Sequence, residues 1–84
     1  MATLKNDATR SQLRAIRERL LRVGWIDKRV ALELCDCDRL GARIWDLRHD
    51  PLDPLPIVTE TQEKINRFGH TVRYARYMLR RDAT

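Results

Sequence analysis

Serine occurs once, at Ser11, histidine only at His49 and His70, and none of the three glycines stands in a phosphate-cradling loop. Neither a nucleophile–base pair nor a P-loop is written in the chain, so no catalytic residue, cofactor or enzymatic activity is expected. No apolar run approaches the roughly 18 residues that a membrane span requires, and MATLKNDATR at the N-terminus lacks the apolar core of a secretory signal. The expected location is the cytosol, with no membrane partner. Cysteine is scarce as well. Cys35 and Cys37 stand one residue apart, a spacing poorly suited to a disulfide, so reduced thiols are expected. With aspartates beside them and His49 downstream they form only a fragment of a structural zinc site, which needs four ligands at wider cysteine spacing. The expectation is no metal, and two small apolar side chains on either side of a tight turn at Asp36.

Charge, by contrast, is abundant. The chain has 84 residues, 43% apolar and 35% charged, with a formal net charge of +5. A chain of this size forms one domain and buries only about 60 to 65% of the surface its unfolded form exposes. Its positive charge gathers at the two ends: residues 1–34 hold eight basic and four acidic groups, residues 35–56 three and five, and residues 57–84 six and three. In KINRFGHTVRYARYMLRR, Lys64 to Arg81, six basic residues occur without an acidic one. A polyanion such as nucleic acid is the commonest partner of a basic surface of this kind.

Thr9 followed by Gln12 has the form of a capping box, Leu13, Ile16, Leu20 and Val23 share one helical face, and Gly24 supplies a left-handed stop. These predict a first helix from about Arg10 to Val23, with Arg10, Arg14, Arg17, Glu18 and Arg22 on its solvated side. Trp25 and Ile26 bridge to Asp27, the cap of a short second helix that contains Val30, Ala31, Leu34 and Cys35 and ends near Cys35. From Asp38 onward Leu40, Ile44 and Leu47 repeat at helical spacing, so a third helix runs to about Arg48 or His49. Arg39, Ala42 and Asp46 lie opposite that stripe, with Arg43 and Trp45 at its flanks. His49, at the helix end, is expected to meet terminal carbonyls. The three prolines of DPLDPLPI exclude helix and make an extended connector. Two strands follow, Ile57–Gln62 and Thr71–Leu79, the second alternating Ala75, Tyr77 and Leu79 against Tyr74, Arg76 and Met78. Glu63 to His70 connects them, turning at Phe68-Gly69.

Two short helices joined by a tight turn and packed on a preceding helix form a helix-turn-helix core, and a hairpin after it is a wing. The expected fold class is α+β, a three-helix helix-turn-helix core followed by a two-stranded β-hairpin wing. Residues 1–8 are read as a flexible N-terminus, 9–80 as the single domain and 81–84 as a C-terminal tail. Arginine grips guanine edges or phosphates and alanine permits close approach. The candidate DNA-binding residues on helix three are therefore Arg39, Ala42, Arg43 and Asp46. On the wing they are Lys64, Asn66, Arg67, His70 and Arg73, set to straddle the phosphate backbone.

ALELCDCDRLGARIWDLR, followed by NRFGHTVRYARYML, resembles the small winged helix-turn-helix domains encoded by bacteriophages and prophages. That family has an alanine-leucine pair in helix two, R-L-[GA]-A-R-I-x-[DE]-L-R through helix three, and a wing closing on N-R-[FY]-G and an A-R-Y segment. Ala31 and Leu32, Arg39 to Arg48, Asn66 to Gly69 and Ala75 to Tyr77 fill those positions, and the resemblance runs from about Leu13 to Leu79. The chain departs from the pattern at Asp36, where the family usually has glycine, and at Pro51 to Pro56, which replaces a short glycine-containing link before the wing. The resemblance implies a DNA-binding fold of phage regulatory type, with sequence-specific binding of double-stranded DNA as a transcriptional regulator or recombination accessory factor in a bacterial cytosol. Trp45 is the aromatic placed for a homodimer or other partner contact. A second function class is a protein-binding module, a phage-encoded inhibitor of a host protein of the anti-CRISPR type. Such a module would use an apolar or acidic patch such as Trp45, Asp46, Asp50, Leu52 and Asp53.

Overall fold

Helical spacing puts Leu13, Ile16 and Leu20 on one side of the first element, and the two later helices pack against that side. The computed structural model describes residues 7–80. Its elements are α1 (Asp7–Arg22), β1 (Trp25–Asp27), α2 (Lys28–Cys35), α3 (Leu40–Arg48), β2 (Ile57–Ile65) and β3 (Thr71–Leu79). Ile16 and Leu20 of α1 are buried with Ile26, Ala31 and Cys37, and Leu40, Ile44 and Leu47 of α3 close the same core together with Leu55 and Ile57. Each such isoleucine or leucine contributes roughly 1.5–3 kcal/mol by leaving water. No helix among the described residues is long and apolar enough to cross a membrane.

The start of α1 differs from expectation. The helix already includes Asp7 and Ala8, so Thr9 and Gln12 lie inside it instead of framing its first turn. Gln12 is used elsewhere: Nε2 donates to the carbonyls of Cys35 (3.3 Å) and Asp36 (3.4 Å), at the end of α2. Residues 1–6 and 81–84, and with them most of the expected flexible segment and the expected tail, lie outside the described residues. Gly24 ends α1 at φ 102° as the spacing predicts. Val23 falls in the turn just past the helix and is exposed, as is Leu34 of α2.

Asp27 caps α2 as expected. Its backbone is extended, and its Oδ1 accepts the Val30 N–H at 3.0 Å, an interaction that stabilises a helix by about 1 kcal/mol. At the other end Asp36 adopts the left-handed conformation, φ 54° and ψ 31°. The N–H groups of Asp36 and Cys37 return to the carbonyls of Leu32 (3.0 Å) and Ala31 (3.1 Å), which satisfies the helix end. The turn delivers Cys37 into the core, while Cys35 is half-buried, its thiol pushed above the ordinary value chiefly by burial. Side chains pay a steric penalty in the left-handed region that glycine escapes. Asp36→Gly is therefore expected to raise the unfolding free energy by about 0.5–1 kcal/mol, read as a shift in the urea midpoint at unchanged slope.

The sheet corrects the two-stranded hairpin expected from sequence. Among the described residues it has three antiparallel strands in the order β1-β3-β2. Trp25–Asp27, which reads as a bridge, pairs with Met78, Tyr77 and Arg76. A segment of three residues is too short to show a period, and its partner lies far downstream, so no local signal announces it. The first hairpin strand also runs on to Ile65 instead of stopping at Gln62, which shortens the connecting turn to Asn66–His70. There Glu63 faces Arg73 at 3.0 Å, a cross-strand pair that suits an extension standing in solvent. Only the base of the hairpin touches the core, through Ile57, Tyr77 and Leu79. The alternation in β3 holds: Tyr77 and Leu79 point inward, while Arg76 stacks on Trp25 from the other face, 4.4 Å from the ring centroid. Arg19 covers Trp25 as well, at 4.6 Å, and donates to its carbonyl at 3.0 Å.

The proline-rich connector is anchored along its length. Leu55 is buried and its N–H donates to Leu47 O at 3.0 Å. Asp50 Oδ1 accepts from the N–H groups of Leu52 (2.8 Å) and Asp53 (3.3 Å), bonds that hold its carboxyl below the usual range. Arg17 of α1 binds the Asp53 carboxylate and, at 3.2 Å, the Asp53 carbonyl, and comes within 3.9 Å of Asp50. The N–H of Arg80 then closes on Pro56 O at 2.7 Å, so both strands of the hairpin base meet the end of the connector at Pro56.

Candidate nucleic-acid interface

Four rows of side chains run along α3: a buried stripe, two flanks and an exposed ridge. Leu40, Ile44 and Leu47 are buried in the core. One flank meets the sheet. Arg48 Nε donates to Ile57 O at 2.9 Å and Nη2 to Thr59 Oγ1 at 2.8 Å, and a methyl group at Gly41 would stand 3.8 Å from Tyr77 Oη. The other flank turns toward α1. There Arg43 Nε and Asp46 Oδ2 approach to 3.4 Å, with side chains only 18% and 16% exposed, and Asp46 borders a groove that also includes Leu13, Arg14 and Arg17. The exposed ridge between the flanks carries Ala42, Trp45 and His49, with Arg39 at the helix entrance.

This distributes the expected helix-three residues unevenly. Arg39 is the N-cap residue, exposed, with no side-chain capping bond and no ion pair among the described residues. Ala42 is half-buried on the ridge. Arg43 and Asp46, expected to be accessible, are instead half-buried and engaged with each other. Arg43→Ala and Asp46→Ala are each expected to lower stability by roughly 1–2 kcal/mol, because each removes one half of a half-buried charge pair. In a thermal-unfolding cycle the double mutant should cost less than the two single losses added together.

The wing residues also divide. Arg67 and His70 are exposed at the turn. Asn66 organises that turn: its Oδ1 accepts from Phe68 N at 2.9 Å and His70 N at 3.0 Å, while its N–H donates to His70 O at 2.8 Å. Gly69 supplies the left-handed residue, φ 82°. Lys64 is on β2 below the tip, its Nζ 5.7 Å from the Tyr74 ring centroid. Arg73 is exposed but shares its charge with Glu63.

Arg48 escapes sequence reading because the two oxygens it binds lie on a strand beyond the prolines. Its role is positional, fixing α3 against the base of the wing. The stack of Trp45 on His49, centroids 4.1 Å apart, is equally silent in sequence, although His49 does meet a terminal carbonyl as expected, donating from Nδ1 to Trp45 O at 2.8 Å. A helix-turn-helix joined by a fixed connector to a wing, with one exposed arginine at the entrance of α3 and another at the wing tip, offers positive charge to a groove and to the phosphates beside it. A family model described as the winged helix-turn-helix domain matches residues 11–82.

The chain belongs to the winged helix-turn-helix domain family. No curated protein and no solved structure matches it. In a winged helix-turn-helix domain the helix after the turn is the one suited to the major groove and the hairpin lies beside it, so membership points to DNA as the partner. Among the described residues no group of three or more histidine, cysteine, aspartate or glutamate side chains converges as a metal site.

Proposed function

We propose that this protein binds double-stranded DNA in a sequence-specific manner, with α3 in the major groove and the wing on the adjacent backbone, as a transcriptional regulator or recombination accessory factor. The observation that carries this reading is the placing of unengaged positive charge. Arg39 at the entrance of α3 and Arg67 at the wing tip are exposed and make no ion pair among the described residues, whereas Arg17 and Arg43 are taken up by the protein's own carboxylates. Arg39 is assigned to a base edge, and Arg67 and Lys64 to phosphates, with His70 beside them. The bacteriophage resemblance of the sequence fits a small regulator of this kind.

The alternative, a host-protein inhibitor, is weakened by the same pairing. Asp46 is engaged by Arg43, and Asp50 and Asp53 by Arg17, so the acidic part of its patch is largely neutralised and Leu52 and Trp45 remain as exposed apolar groups. Salt dependence separates the readings. Wild-type protein should bind random duplex DNA at low salt, and each phosphate contact removed should reduce the slope of log affinity against log salt by about 0.9. The Lys64→Ala/Arg67→Ala protein should thus lose about 1.8 from that slope on specific and random duplexes alike, with specificity nearly unchanged. Absence of duplex binding by the wild type would remove the DNA reading, and an unaltered slope in the double mutant would remove the wing from the interface.

A further inference from the structure

The ridge that α3 offers to a groove has an unusual chemical inventory. Between Leu40 and Arg48 there is no asparagine, glutamine, serine or threonine, so the helix has no bidentate reader of adenine. Its one carboxylate, Asp46, is 16% exposed and engaged by Arg43, which withdraws it from the cytosine amino group. What remains on the ridge is the methyl of Ala42, the indole of Trp45, 61% exposed, and the His49 ring stacked on that indole, with the guanidinium of Arg39 one turn before Ala42. The C5-methyl of thymine is the apolar group that a base pair presents in the major groove.

Trp45 is also held in place before any ligand arrives. Its indole stacks on His49 at 4.1 Å and 24°, and the His49 ring is itself pinned by the bond from Nδ1 to Trp45 O at 2.8 Å. An exposed aromatic fixed in this way loses little freedom on binding, which is the condition for an effective apolar contact. Arg39 and Trp45 are six positions apart, about 9 Å along a helix at 1.5 Å per residue, or two to three base steps of about 3.4 Å.

Resting on the DNA-binding reading above, we propose that Trp45, supported by Ala42, reads the C5-methyl group of a thymine lying two to three base pairs from a guanine contacted by Arg39. His49 is a positioning residue for the indole. The site preference thus comes from one guanine and one methyl group, and cytosine, which lacks the methyl, is disfavoured at the thymine position.

The test begins with selection of preferred duplexes from a random pool by the full chain. Each thymine of the preferred duplex is then replaced singly by deoxyuridine, which keeps every hydrogen-bonding group and removes only the methyl. Wild-type protein should lose about three- to tenfold in affinity at one thymine, two to three base pairs from a guanine, as expected for one buried methyl group, and should be indifferent at the others. Trp45→Ala should bind the thymine and uracil duplexes equally, Trp45→Phe should retain part of the preference, and Arg39→Ala should weaken binding to both while leaving their ratio intact. His49→Ala should narrow the ratio. Thermal unfolding of Trp45→Ala near that of wild type secures the comparison, since its side chain is mostly exposed. Duplex binding with no uracil effect at any thymine, with a uracil effect that survives Trp45→Ala, or with no preferred sequence overturns this assignment and leaves DNA binding standing. Failure of wild-type protein to bind any duplex overturns the DNA-binding reading itself, and this inference with it.

Discussion

Leu55→Ala is expected to be among the most damaging single changes in the protein, lowering the unfolding free energy by about 2–5 kcal/mol. Leu55 is 7% exposed and sits near the end of a proline-rich connector that offers no regular secondary structure to hold it. Its side chain anchors the connector in the core, its N–H donates to Leu47 O, and two residues later Ile57 starts the hairpin. Losing it therefore removes buried area and loosens the tie between α3 and the wing. A domain of this size has only about 5–15 kcal/mol of stability in total, and each kcal/mol corresponds to roughly 4–8 °C in Tm. A fall of about 10 °C or more in a thermal melt is the expected reading, while Leu55→Met, which conserves volume, should cost less than about 1.5 kcal/mol. A melt unchanged by Leu55→Ala would mean that Arg17 and the prolines hold the connector without its anchor.

Arg39→Ala should have the largest effect on binding. The side chain is exposed, makes no ion pair among the described residues and provides no cap to α3, so its removal should leave Tm within about 2 °C of wild type. If it reads a guanine edge, affinity for the preferred duplex should drop by roughly 1–3 kcal/mol, about 5- to 150-fold, with base preference relaxed at one position. Affinity for random duplex should fall much less. The contrast with Arg43→Ala is the informative part: both arginines are candidate DNA contacts in the sequence, one opposite the buried stripe and one at its flank, yet one substitution should be seen in binding and the other in stability. Operator affinity unchanged by Arg39→Ala would take the entrance of α3 out of the groove.

That contrast shows why the site was only partly legible in the residues. Which face of a helix is buried follows from spacing, and Leu40, Ile44 and Leu47 announce the inward stripe of α3 correctly. Which flank residues stay free depends on what packs beside the helix, and α1 draws Asp46 and Arg43 together on its side while the sheet claims Arg48 on the other. Trp45, expected at a flank, stands on the ridge. On the wing, Asn66 reads as a polar contact, but its carbonyl oxygen is needed by the turn's own N–H groups.

Sequence by itself determined the elements whose signals are local: the inward stripes of α1 and α3, the left-handed stop at Gly24, the Asp27 cap, the tight turn at Asp36, and the alternation of β3 that turns Tyr77 and Leu79 inward. A helical period, a cap or a turn depends on neighbours within a few residues, and these are written side by side in the chain. Only the tertiary structure decided what requires distant partners. It made Trp25–Asp27 a strand by setting it against Arg76–Met78, and extended β2 to Ile65 by pairing Glu63 with Arg73. It also anchored the proline connector through Arg17 and Leu55, and sorted the arginines into those neutralised within the fold and those left exposed. Pairing free energy and charge compensation act through space, between residues whose separation along the chain carries no trace of their contact.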